Sequence, residues 1–207
     1  MKTYLQLNTS LNGVDSQSSR LARQFVESLA RTDRGADAAA APARVIVRDL
    51  ASEPLPHLTA ERFKAFATAP AERSTNQARI AAESDALVAE LAAADVLVIG
   101  LPMYNFGVPS TLKAYFDHVA RAGVTFRYTA NGPEGLLRGK RAYVVATRGG
   151  KYAGTPSDLQ SAFVRQFLGF IGITDVEFIY AEGLAMGEES RAAALVEAGR
   201  RIEQLAA

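Results

Sequence analysis

The sequence predicts an α/β fold in which one parallel β-sheet lies between two layers of helices. Short apolar segments rich in Val, Ile and Leu alternate along the chain with longer segments whose apolar residues recur every three or four positions. Strands that alternate with helices in this way form βαβ units and hence a parallel sheet. The chain has 207 residues, which is enough for one domain with a full-sized core.

The first strand and the first helix are predicted from two different spacings. The segment 4–7, near the N-terminus, alternates apolar and polar residues as a strand does. Leu21, Phe25 and Leu29 then recur at intervals of four, which places them on one face of a helix over residues 18–30.

The next three elements complete the first half of the chain. A Val-Ile-Val run predicts a strand over residues 44–50. Residues 75–92 are rich in Ala and carry an apolar stripe that includes Ile80 and Leu87, which predicts a helix. The apolar run that follows predicts a buried strand over residues 96–100.

The second half of the chain repeats this alternation. We predict a helix over 110–121, a strand over 141–146, a helix over 158–170, a strand over 176–180 and a closing helix over 188–205. Right-handed crossovers leave few orders for five strands. The flavodoxin-like order 2-1-3-4-5 is the simplest that fits, although alternation alone does not distinguish it from other three-layer orders.

Three connections are less regular than the rest. Residues 36–43 are of low complexity, and we expect a surface connection there. Residues 51–74 are rich in Pro, Ala and charge, which predicts a mobile segment near the mouth of a ligand site. Residues 123–139 are long for a helix-to-strand connection. No segment indicates a second domain, so we expect residues 1–207 to form one domain.

Composition and charge exclude several classes of function. The chain has 23 basic and 22 acidic residues and no basic block, so we expect no nucleic-acid partner. It has no Cys, which excludes a thiolate nucleophile and a Cys metal site. We find no signal peptide and no apolar run near the roughly 20 residues of a membrane span. We therefore expect a cytoplasmic protein with no membrane partner.

The loop after the first predicted strand is rich in hydroxyl groups. Residues 8–18 contain four hydroxyl side chains and two Asn side chains, directly before a predicted helix. Free backbone N–H groups and the positive end of the helix dipole favour an anion there. Ser16 or Ser18 could equally cap the helix, so this loop alone leaves phosphate binding and capping open. It is neither a dinucleotide fingerprint nor a Walker loop.

Two further loops follow the third and fourth predicted strands. In the first, Tyr104 and Phe106 could pack beside a ring, and the backbone of Asn105 could bind its polar edge. In the second, Gly149 and Gly150 let the backbone approach a planar ligand closely. An ordinary strand-to-helix turn and a plain tight turn explain each loop taken alone. Because ligands of open α/β sheets bind outside the carboxyl ends of the strands, the three loops together indicate a binding site.

The side chains offer little catalytic chemistry of their own. The only histidines are His57, in the Pro-rich segment, and His118, which we interpret as a helix-face residue. No His pair and no carboxylate cluster has the spacing of a metal site. A phosphate pocket beside a flat pocket matches a mononucleotide with a tricyclic ring, namely FMN, and such a cofactor would carry the reaction.

Several runs of the sequence are familiar as a set. They are residues 102–106 (Pro-Met-Tyr-Asn-Phe), 120–128 (Ala-Arg-Ala-Gly-Val-Thr-Phe-Arg-Tyr), 132–136 (Gly-Pro-Glu-Gly-Leu), 147–150 (Thr-Arg-Gly-Gly) and 169–174 (Gly-Phe-Ile-Gly-Ile-Thr), with Ser10 and the Ser-Gln-Ser at 16–18. This set resembles the bacterial FMN-dependent NADH:quinone oxidoreductase / NADH-azoreductase family over nearly the whole chain. The run Gly-Val-Pro at 107–109 departs from the bulkier polar residues that relatives often carry there.

The resemblance implies a flavodoxin-like homodimer that binds one FMN per subunit. It implies that NADH or NADPH donates two electrons, in ping-pong fashion, to quinones and aromatic azo compounds. The residues that it assigns to the phosphate are Ser10, Ser16, Gln17 and Ser18. Those that it assigns to the flavin ring are Met103, Tyr104, Asn105, Phe106, Thr147, Arg148, Gly149 and Gly150.

Phe126 lies in the irregular stretch 123–139. Phe126 is expected either to form an apolar wall for the substrate across a dimer interface or to be an ordinary core aromatic.

No side chain is expected to be an obligate acid or base. An electron carrier, a ligand-sensing module and a flavin reductase that releases its FMN are the alternatives, and the balanced charge disfavours the carrier.

Overall fold

The computed structural model describes residues 2–34 and 43–207 of the chain. In chain order the elements are β1 (Thr3–Asn8), α1 (Gln17–Arg34), β2 (Arg44–Asp49), α2 (Ala60–Ala67), α3 (Thr75–Ala93), β3 (Val96–Pro102), α4 (Ser110–Val119), β4 (Phe126–Thr129), β5 (Gly132–Gly135), β6 (Arg141–Thr147), α5 (Leu159–Phe170), β7 (Asp175–Ala181) and α6 (Glu188–Ala206). The predicted connection 36–43 lies outside the described residues, apart from residue 43.

Five parallel strands form the central sheet in the order β2-β1-β3-β6-β7. The α/β class and the parallel sheet predicted from sequence are therefore confirmed, with every predicted strand in its place. The predicted order 2-1-3-4-5 counted only five strands along the chain. Because the hairpin β4–β5 stands between β3 and β6 and forms a separate two-stranded sheet, the chain numbering of the last two sheet strands differs from that prediction.

Three elements were not predicted, namely the helix α2 and the strands β4 and β5 of the hairpin. The helix α2 lies in the Pro-rich segment, where Thr59 caps it by accepting a hydrogen bond from the Arg62 amide. Only Ala65 of this helix is fully buried, so it shows little of the apolar periodicity that predicts helices. The strand β5 reads Gly-Pro-Glu-Gly, and Gly and Pro normally argue against a strand.

Helices cover both faces of the sheet. On one face, α1 and α6 pack on the strands and bury Tyr4, Phe25 and Ile202 in a shared cluster. On the other face, α3, α4 and α5 form a second cluster that includes Leu5 and Phe116. Since both faces are covered, β1 and β3 are buried along their whole length, as is typical of a parallel sheet.

A contact between two glycines ties the hairpin β4–β5 to the end of α5. Gly135 lies in β5 and Gly172 follows α5, and a Cβ atom on Gly135 would lie closer than 3.0 Å to the backbone of Gly172. The Leu137 amide also donates to the Ile171 carbonyl at 2.9 Å. Two of the sequence runs that carry the family resemblance, 132–136 and 169–174, therefore meet in space.

The register of the sheet brings three loops to one edge. Asn8 at the end of β1 pairs with Gly100 of β3, and Pro102 at the end of β3 pairs with Thr147 at the end of β6. The loops that follow these three strands therefore lie side by side. In the part of the chain that the structure describes, no helix is long and apolar enough to cross a membrane.

Candidate functional site

The first loop presents backbone amides and hydroxyl groups at the N-terminus of α1. The Ser16 hydroxyl accepts a hydrogen bond from the Ser19 amide at 3.0 Å, so Ser16 does cap the helix. The first helical bond runs from the Arg20 amide to the Ser16 carbonyl. The amides of Gln17 and Ser18 precede that bond and have no partner within the helix, so they are available to an anion.

Glycine at position 100 lets this helix N-terminus sit directly on β3. A Cβ atom at Gly100 would lie 2.9 Å from the Ser18 carbonyl oxygen and 3.4 Å from the Ser19 nitrogen. Any side chain there would push the first turn of α1 away from the strand. The Ser16 hydroxyl donates to the Ser19 hydroxyl at 2.7 Å and lies 3.3 Å from the Ser18 hydroxyl.

Tyr104 connects the first loop to the second. Its phenolic oxygen lies 3.2 Å from the Ser10 hydroxyl and accepts a hydrogen bond from the Leu11 amide at 3.1 Å. The Ser10 hydroxyl in turn accepts from the Asn12 amide at 3.2 Å. The hydroxyl group of Tyr104 is therefore bonded to the first loop, so its ring is the part that is available to a planar ligand.

The second loop contains a tight turn with unusual backbone angles. Tyr104 and Gly107 exchange backbone hydrogen bonds of 3.0 and 3.3 Å, and between them Asn105 and Phe106 have φ angles of 49° and 64°. Neither is a glycine, and the left-handed conformation costs an L-residue about 1–2 kcal/mol. Such conformations concentrate at functional sites, where the surrounding structure holds them. We call residues 104–107 the left-handed turn.

The third loop is organised around a buried guanidinium group. The Arg148 side chain is fully buried and contacts Asp158 at 2.8 Å and Glu182 at 3.0 Å. It also donates to the Ser161 hydroxyl at 2.8 Å and to the Gln160 amide oxygen at 3.3 Å. Since this side chain points into the protein, Arg148 can contact a ligand only through its backbone.

The same guanidinium keeps a buried carboxylate ionised. Burial alone would raise the pKa of Asp158, but hydrogen bonds from Arg148 and Ser161 outweigh burial and hold the pKa below its ordinary value. Glu182 accepts hydrogen bonds from the Tyr152 and Ala153 amides, each at 2.9 Å, in addition to its contact with Arg148. The network therefore also fixes the backbone that follows the two glycines.

The second and third loops together line one pocket of about 250 Å³. Its walls are Met103, Asn105, Phe106, Gly149, Gly150 and Tyr152. Five of these residues were predicted, and the sequence analysis missed Tyr152. A Cβ atom at Gly150 would lie 2.8 Å from its phenolic oxygen, so the Tyr152 ring packs closely on that glycine. An aromatic residue two positions after a Gly-Gly pair was the only signal available.

Thr147 and the two histidines do not contribute side chains to this pocket. The Thr147 carbonyl accepts a hydrogen bond from the Met103 amide at 3.1 Å, which joins the second and third loops. His118 is buried, its Nδ1–H donates to the Ala114 carbonyl at 2.8 Å, and desolvation lowers its pKa. These contacts agree with a structural role. His57 lines a neighbouring cavity of about 520 Å³ beside Asn105 and Phe106.

Phe126 lies in another cavity, of about 270 Å³. Its ring packs against Phe170 with centroids 4.3 Å apart, and only 7% of its surface is exposed. Among the described residues, no member of the three loops lines this cavity. Within one chain, the structure therefore does not bring Phe126 to the three loops.

The fold and this loop arrangement define a flavodoxin-like protein. The model of the family described as "Flavodoxin-like fold" matches residues 2–206. The "FMN-dependent NADH:quinone oxidoreductase 6" of Burkholderia lata is 52% identical over 202 residues, 98% of each chain. The Cellvibrio japonicus protein called "FMN-dependent NADH:quinone oxidoreductase" is 48% identical over 204 residues, 99% of this chain and 98% of that one. The chain therefore belongs to the flavodoxin-like family of FMN-dependent NADH:quinone oxidoreductases, as its sequence runs predicted.

Solved structures agree with this assignment. The azoreductase of Bacillus anthracis strain Sterne superposes with a TM-score of 0.79 and is 26% identical over 99% of this chain and all of its own. An FMN-dependent NADH-azoreductase from Bacillus anthracis strain Ames Ancestor, solved with FMN, has a TM-score of 0.83 over the full length of both chains. At 24% identity, the latter supports the fold alone.

Proposed function

We propose that this protein is an FMN-dependent NAD(P)H oxidoreductase that reduces quinones and cleaves aromatic azo bonds. The observation that carries the proposal is the meeting of a hydroxyl-rich helix N-terminus, the left-handed turn and a glycine pair at one edge of the sheet. Relatives about 50% identical over nearly the whole chain are named FMN-dependent NADH:quinone oxidoreductases, which supports the cofactor, the electron donor and the quinone acceptor. Azoreductase structures support azo compounds as acceptors.

The residues of the site fit FMN, a ligand with an anionic tail and a flat ring. Two amides without helix partners and several buried hydroxyl groups suit a phosphate, and they supply donors without a cationic side chain. The pocket between the second and third loops has aromatic and backbone walls that suit the ring. The proposed contacts to phosphate are Ser10, Ser16, Gln17 and Ser18, and those to the ring are Met103, Tyr104, Asn105, Phe106, Thr147, Arg148, Gly149 and Gly150.

Bound FMN would supply two-electron hydride chemistry, and the protein supplies binding and orientation. The amides at the glycine pair are suited to stabilise negative charge at a polar ring edge. Tyr104 and Phe106 orient the ring, and the left-handed turn fixes their positions. In this proposal no side chain of the described residues acts as an obligate acid or base, which agrees with the structural role of His118.

Loss of two hydroxyl groups should weaken FMN binding strongly. The double variant Ser16→Ala, Ser18→Ala is expected to lower FMN affinity by at least about 100-fold, because each hydrogen bond to a charged group contributes about 1.5–3 kcal/mol. Quenching of FMN fluorescence on binding to the apoprotein measures the affinity. Ser28→Ala, on the same helix but remote from its N-terminus, is the matched control. Equal affinities for the double variant and the native protein would contradict the phosphate assignment.

The proposed activity can be tested on the purified protein alone. We expect a yellow protein whose visible absorption is lost on anaerobic addition of NADH and returns on addition of benzoquinone. Since donor and acceptor would use one binding surface in turn, initial rates should give parallel lines in double-reciprocal plots. A reconstituted protein that stays colourless after dialysis would refute the function, and intersecting lines would refute the ping-pong order.

We also propose that the enzyme is a homodimer. Phe106, Leu159 and Phe163 are large apolar side chains that are exposed around one cavity, and such patches are typical of protein interfaces. In this proposed assembly, Phe126 of a second copy completes the apolar wall beside the first copy's three loops, because one chain alone does not bring Phe126 there. A monomeric mass in sedimentation equilibrium would contradict this assembly.

A further inference from the structure

Gln160 joins the two ends of the second loop. Its side-chain nitrogen donates to the Pro102 carbonyl at 2.9 Å and to the Gly107 carbonyl at 3.0 Å. Pro102 is the last residue of β3 and Gly107 is the last residue of the left-handed turn. Both hydrogens of the amide group are therefore used, and both acceptors flank the residues proposed to hold the flavin ring.

Arg148 fixes the orientation of that amide group. The Gln160 side-chain oxygen accepts from Arg148 Nε at 3.3 Å. A guanidinium group only donates and a carbonyl oxygen only accepts, so a flipped amide would lose all three bonds. Gln160 and Arg148 are each 1% exposed, so bulk solvent does not reach either group.

The left-handed turn needs such support because two of its residues are not glycine. Asn tolerates positive φ angles, but an aromatic residue such as Phe106 rarely adopts them. The backbone bonds between Tyr104 and Gly107 close the turn, and Gln160 adds a bond from outside it. Nothing else in the described residues donates a side-chain hydrogen bond to the carbonyl groups of residues 102–107.

We propose that Gln160 is a positioning residue that holds the left-handed turn in its ligand-binding conformation, with Arg148 fixing its amide. The inference rests on the proposed FMN-binding function. A protein whose competent turn is only partly populated binds its ligand more weakly in proportion to that population. Removal of Gln160 should therefore weaken FMN binding although Gln160 itself lies behind the turn and need not touch the ligand.

Three variants test this role through FMN affinity. Gln160→Leu removes the bridge, and we expect FMN affinity to fall by about 10- to 30-fold, as for two lost hydrogen bonds. Gln160→Glu keeps the shape but replaces the donor by a carboxylate facing two carbonyl oxygens, and we expect an equal or larger loss. Ser161→Ala, which removes a different hydrogen bond to Arg148, is the control and should change affinity by less than about threefold.

A second substitution separates positioning from general stability. In a Phe106→Gly background the turn needs less external support, because glycine adopts positive φ angles freely and Asn105 tolerates them. Gln160→Leu should then cost less than about threefold in FMN affinity, whatever Phe106→Gly costs by itself. An equal loss in both backgrounds would refute the positioning role, and so would full affinity of the Gln160→Leu single variant.

Amide hydrogen exchange of the apoprotein gives an independent measurement. Exchange at the Gly107 amide, which is bonded to the Tyr104 carbonyl, should be at least about tenfold faster in Gln160→Leu or Gln160→Glu than in the native protein. Unchanged exchange in a folded variant would overturn the proposal. If Gln160→Leu does not fold, the isosteric Gln160→Glu decides. If the native protein binds no FMN, the proposed function fails, while exchange still decides the role of Gln160.

Discussion

Replacing Arg148 by methionine should lower the free energy of unfolding by about 3 kcal/mol, because the change leaves two mostly buried carboxylates without their cation. Asp158 and Glu182 are 7% and 15% exposed and lie 2.8 and 3.0 Å from the guanidinium. Methionine matches the arginine side chain only as far as Nε, and it provides no hydrogen bond. Denaturant unfolding monitored by circular dichroism measures the loss.

An exposed arginine provides the control for this variant. Arg200 pairs with Glu197 on the surface of α6, where solvent screens the pair. Arg200→Met should therefore leave the midpoint of unfolding unchanged. If Arg148→Met unfolded at the same denaturant concentration as the native protein, the buried network would not stabilise the fold as we infer.

The effect of Arg148→Met should depend on pH in a direction set by Asp158. In the native protein the pKa of Asp158 is held below its ordinary value of 3.8, so its stabilisation is present above that pH and is lost as the pH falls further. In the variant, burial still raises this pKa while the bond from Arg148 is gone. The difference in stability between the two proteins should be largest at neutral pH and should narrow below about pH 4.

The substitution Gly135→Ala adds one methyl group to the hairpin, and we expect it to lower the stability of the protein strongly. The new Cβ atom would lie closer than 3.0 Å to backbone atoms of Gly172 and Ile171, and backbone atoms cannot rotate away. We expect the free energy of unfolding to fall by about 3 kcal/mol, at the upper end of typical overpacking costs. Thermal unfolding of the two proteins side by side measures the change.

Replacing a glycine inside a helix by alanine should have the opposite effect on stability. Gly199 lies inside α6, and a Cβ atom there would meet nothing within 4 Å. Gly199→Ala should raise stability by up to about 1 kcal/mol, because alanine has the better helix propensity. Similar behaviour of the two glycine variants would show that the hairpin adjusts to the added methyl group.

The sequence predicts the sheet well because its strands are buried on both faces. Continuous apolar runs such as 96–100 and 141–146 are the direct result of that burial. The helix α2 and the hairpin β4–β5 were not predicted, because they lack such burial. Neither buries a regular apolar face, and the hairpin is stabilised by the contact between Gly135 and Gly172, which are 37 positions apart in the chain.

The sequence predicts the loop residues of the candidate site but not the residues that support these loops. Residues of the three loops stand out locally, because hydroxyl groups, aromatics and glycines follow strands there. The supporting residues Gln160 and Glu182 do not, since each is an ordinary polar residue in sequence and acquires its role only by burial next to Arg148. The inward direction of the Arg148 side chain could not be foreseen either, because an arginine beside two glycines is equally suited to face a ligand.

The hydrogen bonds from Tyr104 to the first loop make the two halves of the site depend on each other. In the proposed site, a ligand with both an anionic tail and a planar head would contact Ser10 through its tail and Tyr104 through its head, and the Tyr104 hydroxyl is bonded to Ser10 and Leu11. A dephosphorylated analogue would forfeit the tail contacts and would also meet a less ordered Tyr104 ring. We therefore expect discrimination against such an analogue to be greater than the lost contacts alone would give.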